Sequence, residues 1–204
     1  MRGTTEMNTY LDACVENPKS WDLGNDMYAI EFWRPEFCSA LIQIAEQVEG
    51  GFQSQPGDPV YGQEVRISRI SDLFYKNYCE HWKRVVSPFL DEKIGLPSEQ
   101  WFTGWKVPFI IKYTMEGQRG LRPHADDSLY TGTIKLNDGY TGGELIYPRQ
   151  KFSNKDIPVG VMVLAPSIIT HVHYSSELQS GTKYSFVSWT KLNKKDSGIN
   201  YSEV

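Results

Sequence analysis

VGVMVLAP (159–166) and TKYSFVSWT (182–190), with VPFIIKY (107–113), YTGTIKLN (130–137), GGELIYP (142–148) and SIITHVHY (167–174) around them, carry the fold of this chain. Each run is short, rich in β-branched and aromatic residues, alternates with a period of two, and is bounded by Gly, Pro, Asp or Asn. That is the pattern of half-buried strands joined by tight turns. Two more runs, MYAIEFW (27–33) and EVRISRI (64–70), read the same way. Six to eight short strands at this spacing predict an antiparallel sandwich or barrel.

Upstream of residue 105 the period is helical. Pro35 opens a segment with Phe37, Leu41, Ile44 and Val48 on one face, closed by Gly50-Gly51. Proline at the start and glycine past the end are ordinary helix punctuation. A second helix is predicted from Ser71-Asp72, with Phe74, Tyr78, Trp82, Val85 and Val86 inward and Pro88 kinking or ending it. A short helix over residues 7–16 completes the set. Between the two main helices, GGFQSQPGDPVYGQ (50–63) reads as a long loop of the kind that serves as a lid or binding loop.

The 204 residues carry 40% apolar and 13% aromatic residues, enough to close a full core without disulfide or metal staples. The expectation is one domain over 1–204: a helical support region with edge strands (1–104), a β core (105–190) and a polar tail (191–204). A net charge of −4 without a basic run argues against nucleic acid as a partner. No apolar stretch approaches the ~20 residues of a membrane span, and the N-terminus shows no signal-peptide core. Cys14, Cys38 and Cys79 form no CxxC pair. Reduced thiols and a cytoplasmic location are therefore expected.

Four histidines make their placement informative. His124 lies in RPHADD, two residues before Asp126, so on an extended strand the two side chains share a face. His171 and His173 follow on a later strand. One imidazole, one carboxylate and a second imidazole form a facial triad that leaves open coordination positions on a non-haem iron. The residues by themselves leave His171 and His173 both available as the second imidazole. Lys183 starts the next strand and shares a face with Ser185, Val187 and Trp189. A lysine on a core-facing strand is costly unless an anion meets it. His81 reads as a core histidine, Asp127 as a turn or surface residue, and Arg122 as a surface arginine that could also face the site.

The ordered set RPHADDS, TIKLND, GGELIYP, a Gly before AP, and HVHYSSELQSGTKYSFVSW resembles the Fe(II)/2-oxoglutarate dioxygenase superfamily, and within it the prolyl 4-hydroxylase and procollagen lysyl hydroxylase branch. The resemblance covers residues 105–190 well and 27–104 more by element order than by residue. It implies an α+β, mainly β fold with a double-stranded β-helix (jelly-roll, cupin-like) core and N-terminal supporting helices. It implies Fe(II) held by His124, Asp126 and His173, the last chosen by the spacing His-x7-Gly-x-Lys that His173, Gly181 and Lys183 satisfy. It further implies 2-oxoglutarate gripped by Lys183, with Tyr113 and Thr133 beside it, O2 as oxidant and ascorbate as an accessory reductant.

The implied activity is hydroxylation of an unactivated C–H bond, with 2-oxoglutarate leaving as succinate and CO2. The implied substrate is a prolyl or lysyl residue of a peptide or protein. A free amino acid or small metabolite as substrate, and a non-catalytic jelly-roll binding module, are the alternatives. Relatives carry either Lys or Arg at the gripping position, and Lys135 stands where many have Tyr or a small residue.

Overall fold

The computed structural model describes residues 10, 13–54, 60, 62–95, 101–102 and 107–192. Most of the expected 7–16 helix, half of the 50–63 loop and the polar tail beyond residue 192 lie outside the described residues. Fifteen strands occur among the described ones. They are β1 (Ser20–Gly24), β2 (Met27–Glu31), β3 (Gln63–Arg66), β4 (Trp101–Phe102), β5 (Phe109–Thr114), β6 (Leu121–His124), β7 (Tyr130–Lys135) and β8 (Thr141–Gly142). The others are β9 (Leu145–Tyr147), β10 (Phe152–Ser153), β11 (Val161–Pro166), β12 (His173–Ser175), β13 (Leu178–Ser180), β14 (Thr182–Trp189) and β15 (Lys191–Leu192). Helices α1 (Pro35–Glu46), α2 (Ile67–Ile70) and α3 (Asp72–Ile94) precede most of them.

Two antiparallel sheets make the jelly roll. The larger runs β1-β2-β11-β7-β14-β5-β3 and the smaller β10-β9-β12-β6, with the pairs β13-β8 and β15-β4 at the margins. Strands from the first hundred residues complete the larger sheet at both edges, β1 and β2 beside β11 and β3 beside β5. Among the described residues no helix is long and apolar enough to cross a membrane.

Strand parity decides what each face of the larger sheet does. Phe186, Ile134, Met162, Leu164 and Ile110 point outward and pack against Trp82, Tyr78, Leu90 and Leu41 of the helices. Their neighbours Lys183, Ser185, Val187, Thr131 and Thr133 point inward and line a cavity facing the smaller sheet. At one end of the inter-sheet space Met27, Ala29, Leu145, Tyr147, Val161 and Val163 close an apolar plug. Gly160 (φ +84) lets the turn into β11 press on Trp33, whose backbone oxygen would lie 2.0 Å from an added Cβ.

Four local expectations are corrected. The inward face of α1 is Cys38, Leu41 and Ala45, one residue round from the expected stripe, and Ile44 is 48% exposed. Helix α3, capped by the Ser71 hydroxyl accepting from Phe74 N–H and ended by left-handed Gly95, runs through Pro88 to Ile94. Pro88 is exposed, while Phe89 and Leu90, which follow it, pack inward. EVRISRI is a strand only to Arg66 and then turns into α2, and SIITHVHY opens with a 3-10 turn over Ile168–Thr170 before β12.

Candidate active site

The pairing of β12 with β6 sets His173 directly opposite His124. Their rings lie 4.5 Å apart between centroids. Strand β6 ends at His124, so Asp126 does not share a strand face with it as the sequence suggested; it sits in the loop that follows. The loop turns its carboxylate back between the two rings, with Oδ1 3.4 Å from His124 Nε2 and Oδ2 3.7 Å from His173 Nε2. One ligand atom from each of the three residues lies within 4.8 Å of the others.

The surrounding bonds orient this set. His124 Nδ1–H donates to the Arg122 carbonyl at 2.8 Å and His173 Nδ1–H to the His171 carbonyl at 3.1 Å. Both bonds leave the Nε2 lone pairs aimed at the centre, the arrangement by which proteins fix a metal-binding tautomer. Thr131 Oγ1 donates to Asp126 Oδ2 at 2.7 Å and in turn meets Ser167 Oγ at 2.9 Å. Burial would raise the Asp126 pKa, but the His124 hydrogen bond, the His173 charge and the Thr131 hydroxyl outweigh it and hold the carboxyl below its ordinary range. Two neutral imidazoles and a carboxylate with Nε2 and oxygen converging fit a divalent iron.

His171 is not in this cluster. It follows the 3-10 turn rather than lying on β12, its Nε2 donates to the Asn25 carbonyl at 2.9 Å, and its Nδ1 meets Thr170 Oγ1 at 2.9 Å. Both ring nitrogens are thus engaged outside the cluster, Nε2 on the β1–β2 turn and Nδ1 on the neighbouring Thr170. His81 is a core residue, stacked on Phe32 at 4.2 Å and bonded through Nδ1 to Tyr10 Oη at 3.1 Å.

The cavity of about 480 Å³ is lined by the triad, Lys183, Tyr113, Thr133 and Trp189 among others. Lys183 is 2% exposed; its Nζ donates to Ser175 Oγ at 2.8 Å and stands 4.5 Å above the Tyr113 ring. Burial pulls its pKa from 10.5 down to about 7. Among the described residues no carboxylate forms an ion pair with Lys183, so a carboxylate entering the cavity would meet a buried amine and favour its charged form. Tyr113 is fully enclosed, and burial first, against a Ser175 hydrogen bond, raises its hydroxyl pKa.

Lys135 does not reach the cavity. It lies at the far end of β7 and its ammonium turns to Asp138 Oδ1 at 2.9 Å. Asp127, expected to point away, is exposed but lines the cavity mouth. Arg122 is exposed, and its contribution is the carbonyl under His124. Ser175, Glu64 and Arg66 also line the cavity and were not singled out in the sequence. Parity could have found them: Ser175 is two residues after His173, and Glu64 and Arg66 alternate on one strand.

A jelly-roll barrel whose smaller sheet offers a His/Asp/His set toward a buried lysine of the larger sheet has the fold of the 2-oxoglutarate Fe(II) oxygenases. Similar solved structures are the viral collagen prolyl hydroxylase of Paramecium Bursaria Chlorella virus-1 with 2-oxoglutarate, at a TM-score of 0.59 and 16% identity over 88% of this chain and 97% of that one, and a Pseudomonas putida prolyl-4-hydroxylase, at 0.54 and 13% over 95% of this chain and 100% of that one.

In sequence the chain is similar to the procollagen-lysine,2-oxoglutarate 5-dioxygenase of Drosophila melanogaster, 26% identical over 187 residues covering 80% of this chain and 24% of the relative. It is also similar to the procollagen lysyl hydroxylase and glycosyltransferase of Acanthamoeba polyphaga mimivirus, 27% identical over 187 residues covering 86% of this chain and 21% of the relative. The chain thus spans about a quarter of the length of these curated relatives. No protein-family model matches it. The chain is thus similar in sequence to procollagen-lysyl hydroxylases and in fold to prolyl hydroxylases.

Proposed function

We propose that this protein is an Fe(II)- and 2-oxoglutarate-dependent dioxygenase that hydroxylates a prolyl or lysyl side chain of a peptide or protein. The observation that carries the proposal is the buried Lys183 ammonium, lacking a carboxylate partner among the described residues, in the same cavity as His124, Asp126 and His173. A dicarboxylate satisfies both ends of that cavity at once. In this reading His124, Asp126 and His173 hold the iron, and Lys183 receives the distal carboxylate of 2-oxoglutarate. Tyr113 and Ser175 keep the ammonium in place. Thr133 and Trp189 form the wall beside the reacting centre.

Iron bound here with 2-oxoglutarate and O2 supplies the oxidising equivalent that turns C–H into C–OH as 2-oxoglutarate leaves as succinate and CO2; ascorbate serves as accessory reductant. The chain's own contribution is geometric and electrostatic. Backbone carbonyls of Arg122 and His171 fix the imidazole tautomers, Thr131 fixes the carboxylate, and the apolar plug around Leu145 and Val163 keeps water from one end. Cys14, Cys38 and Cys79 are free thiols, which suits a reducing compartment such as the cytoplasm.

Anaerobic titration of metal-free protein with Fe(II) and then 2-oxoglutarate tests the reading. A visible iron-to-ketoacid charge-transfer band is expected at one equivalent of each, lost in His173→Ala and retained in His171→Ala. Iron binding without the band would mean that the barrel holds its metal for other chemistry.

A further inference from the structure

The smaller sheet has two faces, and only one of them serves the metal. Alternate residues of an extended chain point to opposite sides. Leu145 and Ser175 line the cavity that holds the triad, whereas Glu144, Ile146 and Ser176 turn the other way. There they floor a second cavity of about 540 Å³, walled by the far end of β7, by β8, by Asn154 and Lys155, and by residues 177–179. Small-molecule sites of roughly 300–1,000 Å³ are mostly apolar. This one is polar, with Ile146 the one aliphatic side chain among its described lining residues.

Several polar groups of this cavity are fixed in place with an atom left over. Asn154 is 3% exposed. Its Oδ1 accepts from the Leu145 N–H at 2.8 Å, and its own N–H donates to the Leu145 carbonyl at 3.0 Å. Only the amide oxygen can meet an N–H, so the side chain is held in one orientation. Nδ2 remains for the cavity and makes no hydrogen bond among the described residues. Glu144 is pinned by Ser176, whose hydroxyl accepts the Glu144 N–H and whose N–H donates to the Glu144 carbonyl, both at 2.9 Å. The Glu144 carboxylate accepts from Ser153 Oγ through Oε2 at 3.2 Å, which leaves Oε1 without a bond among the described residues. Burial first, and then the Asp138 and Glu144 charges, push the Tyr140 hydroxyl up to about 12, so it stays a donor at neutral pH.

The chemistry of the walls narrows the ligand. Lys135 and Asp138 pair with each other at 2.9 Å. The cavity then offers the Glu144 and Glu177 carboxylates, the Lys155 ammonium and the neutral groups of Asn154, Tyr140 and Gln179. Two carboxylates repel a phosphate. Among the described residues only His124, Asp126 and His173 bring three ligand atoms together, so these carboxylates make no cation site. Such a mixture of donors and acceptors suits an uncharged ligand whose polar groups each donate and accept, as a hydroxyl does. We propose that this cavity binds a neutral saccharide, a mono- or disaccharide, with Glu144 and Glu177 accepting from its hydroxyls and Asn154 Nδ2 and Tyr140 Oη donating to its oxygens. The site lies on the opposite face of the smaller sheet from the metal set and does not depend on the oxygenase reading.

The test is saturation-transfer NMR, together with nitrogen-resolved spectra of the full chain, using maltose, cellobiose and lactose. Each sugar is added free and as its glycoside on the serine of a short Gly/Ala peptide. Saturation transfer to the ring protons, a shift of the Asn154 side-chain amide signal and a Kd of about 1 mM or below are expected for at least one sugar. Tyr140→Phe keeps the ring and removes one neutral hydrogen bond, so it should weaken binding about 2- to 10-fold. Glu144→Gln keeps an acceptor for Ser153 and removes the charge, so about tenfold or more should be lost. Equal affinity for the two forms supports the site with a free sugar as its ligand. Binding of the glycopeptide at least about fivefold tighter supports it with a protein-borne glycan, a gain of about 1 kcal/mol.

No saturation transfer to any of these probes at about 20 mM overturns the inference. So does binding that leaves the Asn154 signal in place or that survives both substitutions, because the sugar then sits elsewhere on the protein. Glycine or inorganic phosphate moving the Asn154 signal where the sugars do not overturns it in favour of a zwitterion or an anion. Chemical denaturation checks that each variant is folded. Should either fail to fold, the Asn154 signal of the wild-type protein still decides.

Discussion

Binding of 2-oxoglutarate should take up a proton at neutral pH. Lys183 has a pKa of about 7 in the free protein because burial disfavours its charged form. A carboxylate brought against the ammonium favours that form and raises the pKa. If the ordinary value near 10.5 is regained in the complex, net uptake is ~0.1 proton at pH 6, ~0.5 at pH 7 and ~0.9 at pH 8. Affinity should then be nearly constant below pH 6 and fall about tenfold per unit above pH 8, a loss of roughly 50-fold between pH 7 and pH 9. The carboxylates of 2-oxoglutarate titrate well below this range and contribute nothing.

The assay is anaerobic calorimetry on Fe(II)-loaded protein in two buffers of different ionisation enthalpy at each pH, which yields proton uptake directly. Lys183→Met is the control. It should weaken 2-oxoglutarate by about 2–5 kcal/mol, at least ~30-fold, and abolish the pH dependence. A flat affinity from pH 7 to 9 with no uptake at pH 8 would refute the reasoning, because the cation that meets the carboxylate would then not be a lysine neutralised by burial.

Four further outcomes are expected. The same substitution should stabilise the metal-free fold: the native pKa lies below the unfolded one, so the burden on folding is full below pH 7 and gone above pH 10.5, and chemical denaturation should show a gain approaching 4 kcal/mol at pH 7 that shrinks as pH rises. His81, held neutral chiefly by burial with a pKa lowered to about 4, should act in the same sense at lower pH: about 3 kcal/mol of stability present above pH 6.5 is lost as pH falls to 4, and a His81→Phe variant should lack that part of the acid transition. Thr131→Val should weaken iron binding about 10- to 100-fold in a competition titration, since it removes the hydroxyl that holds Asp126 Oδ2. Gly160→Ala should lower the unfolding free energy by about 2–4 kcal/mol, because an added Cβ meets the Trp33 carbonyl in a positive-φ turn.

How the site was legible differs from residue to residue. His124, Asp126, His173 and Lys183 were visible because order and spacing survive in the linear chain. Trp189 followed from parity with Lys183, because alternate residues of a strand share a face, and Thr133 from the family resemblance. The roles of Ser175 and Thr131 were not visible, since each depends on a partner brought across from another strand. The 3-10 turn ahead of β12 was hidden in a run of β-branched residues whose local propensity reads as strand. Pro88 misled for the converse reason: its local cost is real, but packing of Phe89 and Leu90 outweighs it.

The sequence by itself determined most of the strands and helices, an antiparallel sandwich or barrel as the core, the inward and outward faces of the main strands, and His124 and Asp126 with a later histidine as a metal-fitting set. These follow from periods of 2.0 and 3.6 and from fixed spacings, which are properties of a chain with one backbone geometry. Only the tertiary structure tied the His171 ring to the Asn25 carbonyl, put Asp126 in a loop rather than on a strand, turned Lys135 away to Asp138, and brought Glu64 and Arg66 to the cavity that Lys183 lines. Each of those outcomes depends on which strand pairs with which and in what register. Register is fixed by the burial of whole faces at once, so it cannot be read from any one stretch of the chain.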